Sequence, residues 1–542
     1  MNNSNNDLLE RLEQLNAIGV ALSAERDVER TLEAILEAAK SLTNADGGTL
    51  YRVTEDNHLK FEFLCNDTLS IAMGGSTGVA IPFDPLPLYD AQGKPNNSMV
   101  VAYSVLHDAT INIEDAYTAD GFDFSGTRKF DQKTGYRSKS FLTVPMKNHE
   151  SEIIGVLQLI NAKHAATGQI IPFSKEDQRL TESLASQAAI ALTNQMLINQ
   201  LEALLESFIE LIDIAIDEKS PNTGGHCERV PVLTMLLAEA ACATQEGPLQ
   251  DFHMTDKDRH ELKIASLLHD CGKLTTPVHI IDKATKLQTL FDRIQLVDTR
   301  FEVLKRDAEI DLLHAKIRSL EQGRNASFVT LEQTCRQRIR QLDDDREFLR
   351  NINVGGEFMS PEEQERVKAI GRLTWANEKG ETAFFLSDDE AKNLRIAKGT
   401  LTDEERRTIN HHIVTTIKML ETLPWPKHLK RVPEYAGGHH ERMDGKGYPK
   451  GLIREQMSIQ ARTMAIADIF EALTARDRPY KHGKTLTESL RILGMMKLDN
   501  HIDPDLFDAF IREKVYLKYA EQFLDGEQID EVDVTKIPGF TA

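Results

Sequence analysis

From Lys175 to Asp217 the chain runs without a single Pro or Gly. Leu180, Leu184, Gln187, Ala191, Asn194, Ile198, Leu201, Leu205, Phe208, Ile212 and Ala215 follow one another at spacings of four and three. A stretch with that period and no breaker predicts one long helix. Two readings fit the stripe. It is the seam of a parallel dimeric coiled coil, in which Gln187 and Asn194 set register at some cost in stability, or it is one face of a helix packed on its own domain. At 542 residues the chain is too long for one hydrophobic core and suits two to four domains.

The two flanks differ in pattern. Before the helix, Leu8 to Leu42 carries helical apolar spacing, whereas Gly48 to Val53, Leu59 to Cys65, Ser140 to Met146 and Ile153 to Asn161 read as strands between turn residues. An α+β domain over 1–175 is expected, followed by the connecting helix over 176–218. After it, 226–285 and 401–525 read as helix after helix. The charged segment 288–400 interrupts them: Leu290, Ile294, Val297, Phe301 and Leu304 predict a helix, and Thr330 to Arg350 a second folding back on it near Gly323 and Asn325. The expected organisation is an all-α domain in two parts, 219–287 and 401–542, with a helical insertion at 288–400.

Charge removes some functions. A formal net charge of −21 and a pI near 5.3 argue against a broad grip on a nucleic-acid polymer. An anionic substrate must be held locally, by metal ions or a few Lys and Arg. Five scattered cysteines, Cys65, Cys227, Cys242, Cys271 and Cys335, form no C-x-x-C pair and suit reduced thiols. No run approaches the roughly 18 apolar residues of a membrane span, and the opening residues lack signal-peptide character. A cytoplasmic location away from membranes is the expectation.

The chemistry-bearing residues lie in the helical region. His269 and Asp270 adjoin in L-L-H-D-C-G-K, with Lys273 one turn on; His411 and His412 adjoin on a predicted helix; His439 and His440 adjoin in H-H-E-R-M-D-G-K-G-Y-P; Asp468 stands in A-I-A-D-I-F-E-A-L. Imidazoles with carboxylates suit Fe, Mn or Zn. A surplus over four donors suggests two ions clamping an in-line phosphoryl displacement. A single His-Asp pair is more often a surface hydrogen bond, and each histidine alone is more often structural. Their combined order carries the signal.

These motifs resemble those of the HD-GYP subgroup of the HD phosphohydrolase superfamily, bacterial phosphodiesterases of cyclic di-GMP, over about 205–285 and 398–525. The resemblance implies His226 (in T-G-G-H-C-E-R-V), His269, Asp270, His412, His439, His440 and Asp468 as metal ligands, with His411 a neighbour. It implies Asp270 and Lys273 as catalytic, Lys273 polarising the substrate. The signature loop from Asp444 to Pro449, with Gly445, Gly447 and Tyr448, and the pair Arg478 and Lys481 in D-R-P-Y-K, would bind substrate. Some members hold a third metal through a Glu four residues before the first histidine. Here that residue is Asn222, so two divalent transition-metal ions, Fe or Mn, are expected.

The N-terminal region resembles a GAF domain, with Asn161, Lys163, Phe173 and Asp177 echoing that family's Asn-Lys-Phe-Asp pattern. A small-molecule ligand there and a purely structural dimerising role both remain open. The resemblance implies a GAF-regulated, metal-dependent phosphodiesterase. It would open cyclic di-GMP or a related cyclic dinucleotide to a linear dinucleotide, and on to GMP where the second bond is cut. The expected partners are a second copy of the chain and other signalling proteins. The competing functions are a catalytically silent adaptor, disfavoured because no ligand position is lost, and a hydrolase of other nucleotides such as alarmones, disfavoured by the G-Y-P loop.

Overall fold

A computed structural model describes residues 2–25, 27–219, 225–245, 247–322, 328–356, 358–377, 379–476 and 483–541. The chain forms two compact units, 1–205 and 206–542.

The first unit is α+β. Its strands are β1 (Ala45–Val53), β2 (His58–Asn66), β3 (Ile71–Gly74), β4 (Leu86–Pro87), β5 (Ile111–Ile113), β6 (Phe141–Lys147), β7 (Ile153–Lys163) and β8 (Ile170–Ile171). They form one sheet in the order β3-β2-β1-β7-β6-β5, with β4 on β2 and β8 on β7. The central strands β1 and β7 pair antiparallel. On one face Ile35, Leu36 and Ala39 of the helix Val28–Thr43 and Leu184, Ala185 and Ala188 of the long helix bury Leu142, Val144, Leu157 and Leu159. On the other, Val101 and Ala102 of the helix Val100–His107 cover Tyr51, Leu59 and Val156. The apolar spacing from Leu8 to Leu42 resolves into two helices, Asn2–Ala24 and Val28–Thr43. Asp27 starts the second by accepting from the amides of Glu29 and Arg30 at 2.8 and 3.2 Å.

The long helix spans Lys175–Lys219. Its first turns pack on the first unit, since Leu180 and Leu184 lie in that unit's core. Farther on, Leu205, Ile212 and Ala215 are half-buried. Ile198, Leu201 and Phe208 of the stripe read from sequence are exposed, and so are Met196, Leu197, Leu204, Leu211 and Ile214 beside it, of which Leu197, Leu201, Leu204, Phe208 and Leu211 are spaced by four and three. The period was legible, but which of its members are covered depends on tertiary packing.

In the second unit, Ile294–Glu321 and Phe328–Asn353 lie side by side and have a core of their own: Val297, Phe301 and Leu304 meet Leu342, Leu349 and Phe385. Gly323 and Asn325 lie outside the described residues. A small antiparallel pair, Thr374–Ala376 with Thr382–Phe384, was not anticipated. The entrance and exit of the segment are tied together. The Thr400 hydroxyl donates to the Lys283 carbonyl at 2.9 Å, and the Lys283 ammonium meets Glu405 at 2.8 Å. The surrounding helices can therefore close around the site with the insertion emerging from one place.

Candidate metal centre

Each histidine of the site sits where a helix starts or stops. Thr255 and Asp258 form a capping box that starts the helix Asp256–Leu268, which ends at His269 and turns at Asp270 into Cys271–Thr275. That turn needs Gly272. A Cβ there would collide with the His412 carbonyl and the backbone of Thr416, whose hydroxyl accepts from the Gly272 amide at 2.9 Å. The close approach brings His269 and Asp270 beside His412, the first residue of the helix His412–Glu421. His439 and His440 follow the short helix Val432–Gly437, and Asp468 lies on Ile459–Thr474.

All seven expected ligand residues converge. Nε2 of His226 lies 3.2 Å from Nε2 of His269, 3.3 Å from Asp270 Oδ2 and 3.4 Å from Asp468 Oδ1. Across the Asp270 carboxylate, Oδ1 lies 3.2 Å from Nε2 of His412, which is 3.2 Å from Nε2 of His440. Three overlapping sets, His226–His269–Asp468, His269–Asp270–His439 and His412–His439–His440, bring their donor atoms close enough to hold a metal ion. Nδ1 of His269, His412 and His439 faces a carbonyl three residues back, of Ser266, Ile409 and Ala436, at 2.7, 2.6 and 2.7 Å. Each Nδ1 therefore carries the proton, and Nε2 turns a lone pair inward. Asp270 Oδ1 and His439 Nε2 are buried without a hydrogen-bond partner. Inward-facing imidazole nitrogens and an orphaned carboxylate oxygen fit a bound cation.

The electrostatics favour the metal-binding form of His439 and His440, whereas His226 is drawn toward its charged form. Burial, helped by the neighbouring His269, pushes His439 down to about 4, and burial beside His439 and His412 holds His440 well below the usual imidazole range. Both are then neutral, the form that binds metal. Burial opposes the charged forms of Asp270 and His226 as well. Lys273 and His269 nevertheless hold Asp270 well below the carboxylate range, and Asp270 and Glu471 raise His226 to about 9. The Lys273 ammonium is paired directly with Asp270.

A cavity of about 280 Å³ opens beside the cluster, lined by His226, Lys273, His412, His440, Tyr448 and Asp468 among others. The Tyr448 ring stacks on His440, 4.8 Å between centroids and 23° between planes. The rest of the signature loop has other partners. Asp444 is held by Arg442 at 3.1 Å and by the Lys446 amide at 3.0 Å, and the Arg442 bond keeps its carboxyl well below the usual range. Gly445 has φ 75°, which favours glycine. A Cβ on Gly447 would strike the backbone of Glu441 and Arg442, and the peptide between Tyr448 and Pro449 is cis. Arg478, Lys481 and Asn222 lie outside the described residues.

Sequence reasoning missed four residues. Glu471, 1% exposed, accepts from His226 Nδ1 at 2.6 Å and pairs with Arg229 at 2.7 Å. Glu441, also buried, accepts from the Lys450 and Leu452 amides at 2.7 and 2.9 Å and so braces the signature loop. Lys219, in the last turn of the long helix, donates to the carbonyls of Lys273, at 3.1 Å, and of Leu274. The spacing of three between Asp468 and Glu471, and between His226 and Arg229, is the one local signal that could have found the first pair.

The chain joins a GAF domain to an HD domain: the GAF domain family matches residues 27–192, and the HD domain family matches 388–506, which contain His412, His439, His440 and Asp468. Among curated proteins it is similar to a cyclic di-GMP phosphodiesterase of Pseudomonas aeruginosa, 40% identical over 114 residues, 21% of this chain and 26% of the relative. A 3'3'-cGAMP-specific phosphodiesterase of Vibrio cholerae is 42% identical over 81 residues, 15% of this chain and 19% of the relative. A cyclic di-GMP phosphodiesterase of Thermotoga maritima is 27% identical over 258 residues, 41% of this chain and 69% of the relative. The chain spans about a quarter of the length of the Pseudomonas relative. Among the described residues no helix is long and apolar enough to cross a membrane.

Proposed function

We propose that the chain is a metal-dependent phosphodiesterase that opens a cyclic dinucleotide, cyclic di-GMP or a close relative, to a linear dinucleotide, and to GMP where the second bond is also cut. The observation that carries this reading is the Asp270 carboxylate, with one oxygen toward His226 and His269 and the other toward His412. A carboxylate facing two donor sets suits two divalent ions, Fe or Mn by the mixture of imidazole and carboxylate. His226, His269 and Asp468 would hold one, His412, His439 and His440 the other, and Asp270 both. Ions bound there supply a hydroxide nucleophile at neutral pH and neutralise charge on the phosphoryl oxygens.

The remaining roles fall to the chain's own side chains. The Lys273 ammonium stands at the cavity wall to stabilise charge on the phosphate as the 3′ oxygen leaves. Tyr448, flat against His440, offers a ring face to a base. The loop of Asp444, Gly445, Gly447 and Pro449 shapes the approach, and Arg478 and Lys481 grip guanine or phosphate. The exposed run from Leu197 to Leu211 joins two copies in parallel, so that the GAF domain, with or without a small ligand, governs the catalytic domain through helix rotation. The names of the relatives, which specify cyclic di-GMP and 3'3'-cGAMP, favour a cyclic dinucleotide over a nucleic-acid polymer. Metal analysis of protein purified without added metal, with product chromatography on cyclic di-GMP and cyclic GMP-AMP, tests the proposal. Metal-loaded protein that leaves both substrates intact overturns it in favour of an adaptor.

A further inference from the structure

Three of the inward-facing imidazoles are oriented by their own chain, through the carbonyl three residues back. His226 is held by a distant partner. It opens the helix His226–Ala243 behind Gly225, whose φ is 80°. Its Nδ1 faces Glu471 Oε2 at 2.6 Å instead, across 245 positions of sequence. The second Glu471 oxygen takes the Arg229 guanidinium, Nε at 2.8 Å and Nη2 at 2.7 Å, one turn along the same helix. Glu471 stands three residues after Asp468 on Ile459–Thr474, so one helix face carries both carboxylates.

We infer that Glu471 is a positioning residue for His226. It accepts the Nδ1 proton's hydrogen bond and thereby fixes the tautomer that leaves the Nε2 lone pair pointing at the metal, while Arg229 holds the carboxylate in place. The inference rests on the metal-dependent reading proposed above and deepens it. A neutral imidazole with a free ring would spend much of its time turned away from the site. A buried carboxylate at Nδ1 removes that freedom and strengthens Nε2 as a donor. Arg229 also supplies the countercharge without which a carboxylate exposed by only 1% would be costly to bury.

The test uses the full chain, stripped of metal and titrated with Co²⁺, whose visible bands report the ligand arrangement. Glu471→Ala is expected to weaken Co²⁺ binding about ten- to hundred-fold, as loss of such partners commonly does, and to alter the bands. Glu471→Gln keeps an acceptor oxygen and should fall between. If Glu471→Ala does not fold, Glu471→Gln and Arg229→Lys carry the comparison. Wild-type affinity and bands in folded Glu471→Gln and Arg229→Lys proteins overturn the role, as does lowered stability of the metal-free protein with unchanged bands. Asp468→Ala, run alongside, separates the two levels: if it loses Co²⁺ while the Glu471 variants keep it, only the positioning role fails, and if it also keeps Co²⁺, the metal reading fails with it.

Discussion

The Nε2 atoms of His226 and His269 face each other at 3.2 Å although the residues are 43 positions apart. Nδ1 of each ring is already engaged, by Glu471 and by the Ser266 carbonyl. Neutral rings would oppose lone pair to lone pair in a buried site, an arrangement relieved by a shared cation or, without one, by the proton that Asp270 and Glu471 favour on His226. The Nε2 atoms of His412 and His440 face each other at the same distance.

Removing donors should therefore empty the site without unfolding the chain. Asp270→Ala and His440→Ala are expected to abolish hydrolysis and to lower bound metal, with helical circular dichroism close to that of the parent. Full activity in a metal-poor Asp270→Ala protein would sink the assignment. Chelation of the parent should lower its melting temperature, because ions that bind only the folded state stabilise it by mass action.

Gly272 sets the contact between the His269–Asp270 turn and the start of the His412 helix. Gly272→Ala places a methyl group against the His412 carbonyl and the Thr416 backbone. Overpacking of this kind costs about 1–3 kcal/mol, and more where backbone must move. Reduced melting temperature together with reduced metal content is the expected result. Metal content and stability equal to the parent would show that the turn relaxes freely.

The exposed seam and Lys219 predict how signals travel. Replacing Leu201 and Phe208 with Glu should convert a dimer to monomers in light scattering. Deleting one residue near Leu201 rotates the following helix by about 100° and should disturb regulation, whereas deleting seven nearly restores its facing. Lys219→Met removes the bonds to the Lys273 and Leu274 carbonyls and should change activity more than metal content. A monomeric parent, or equal activity in all variants, would leave the helix a plain linker.

Lys286 gives a pH prediction away from the site. It is 2% exposed, donates to the Leu394 and Ile396 carbonyls at 3.2 and 2.8 Å, and is lowered by burial to about 8 from 10.5 although Glu363 pulls the other way. Below pH 8 both folded and unfolded chains carry the proton, and the full cost of burying the charge is present. Between pH 8 and 10.5 the unfolded chain binds more protons, so this residue makes stability rise with pH, by at most about 3 kcal/mol. Thermal melts across that window, for the parent and for Lys286→Met, should differ in slope, the parent rising more steeply. Parallel curves would contradict the shift.

How much could be read in advance follows from how local each signal is. The long helix was legible because a chain without Pro or Gly and with a regular apolar period has few other options. The four principal strands were legible from apolar segments bounded by turn residues, and they fall within β1, β2, β6 and β7 except for Ser140, one residue before β6. His269, Asp270, the pair His411 and His412, His439, His440 and Asp468 stood out as His and Asp residues in a telling order, whereas His226 and the choice of His412 came only from the family resemblance. Tertiary structure decided what depends on distant partners. Glu471 meets His226 across 245 positions, and Lys283 meets Glu405 across 122. A buried carboxylate looks the same in sequence whether it orients an imidazole or caps a helix. On the connecting helix, too, packing decided which members of one stripe are covered: Leu180 and Leu184 are buried against the sheet's helical face, while Ile198, Leu201 and Phe208 are exposed, a difference that a uniform apolar period does not record.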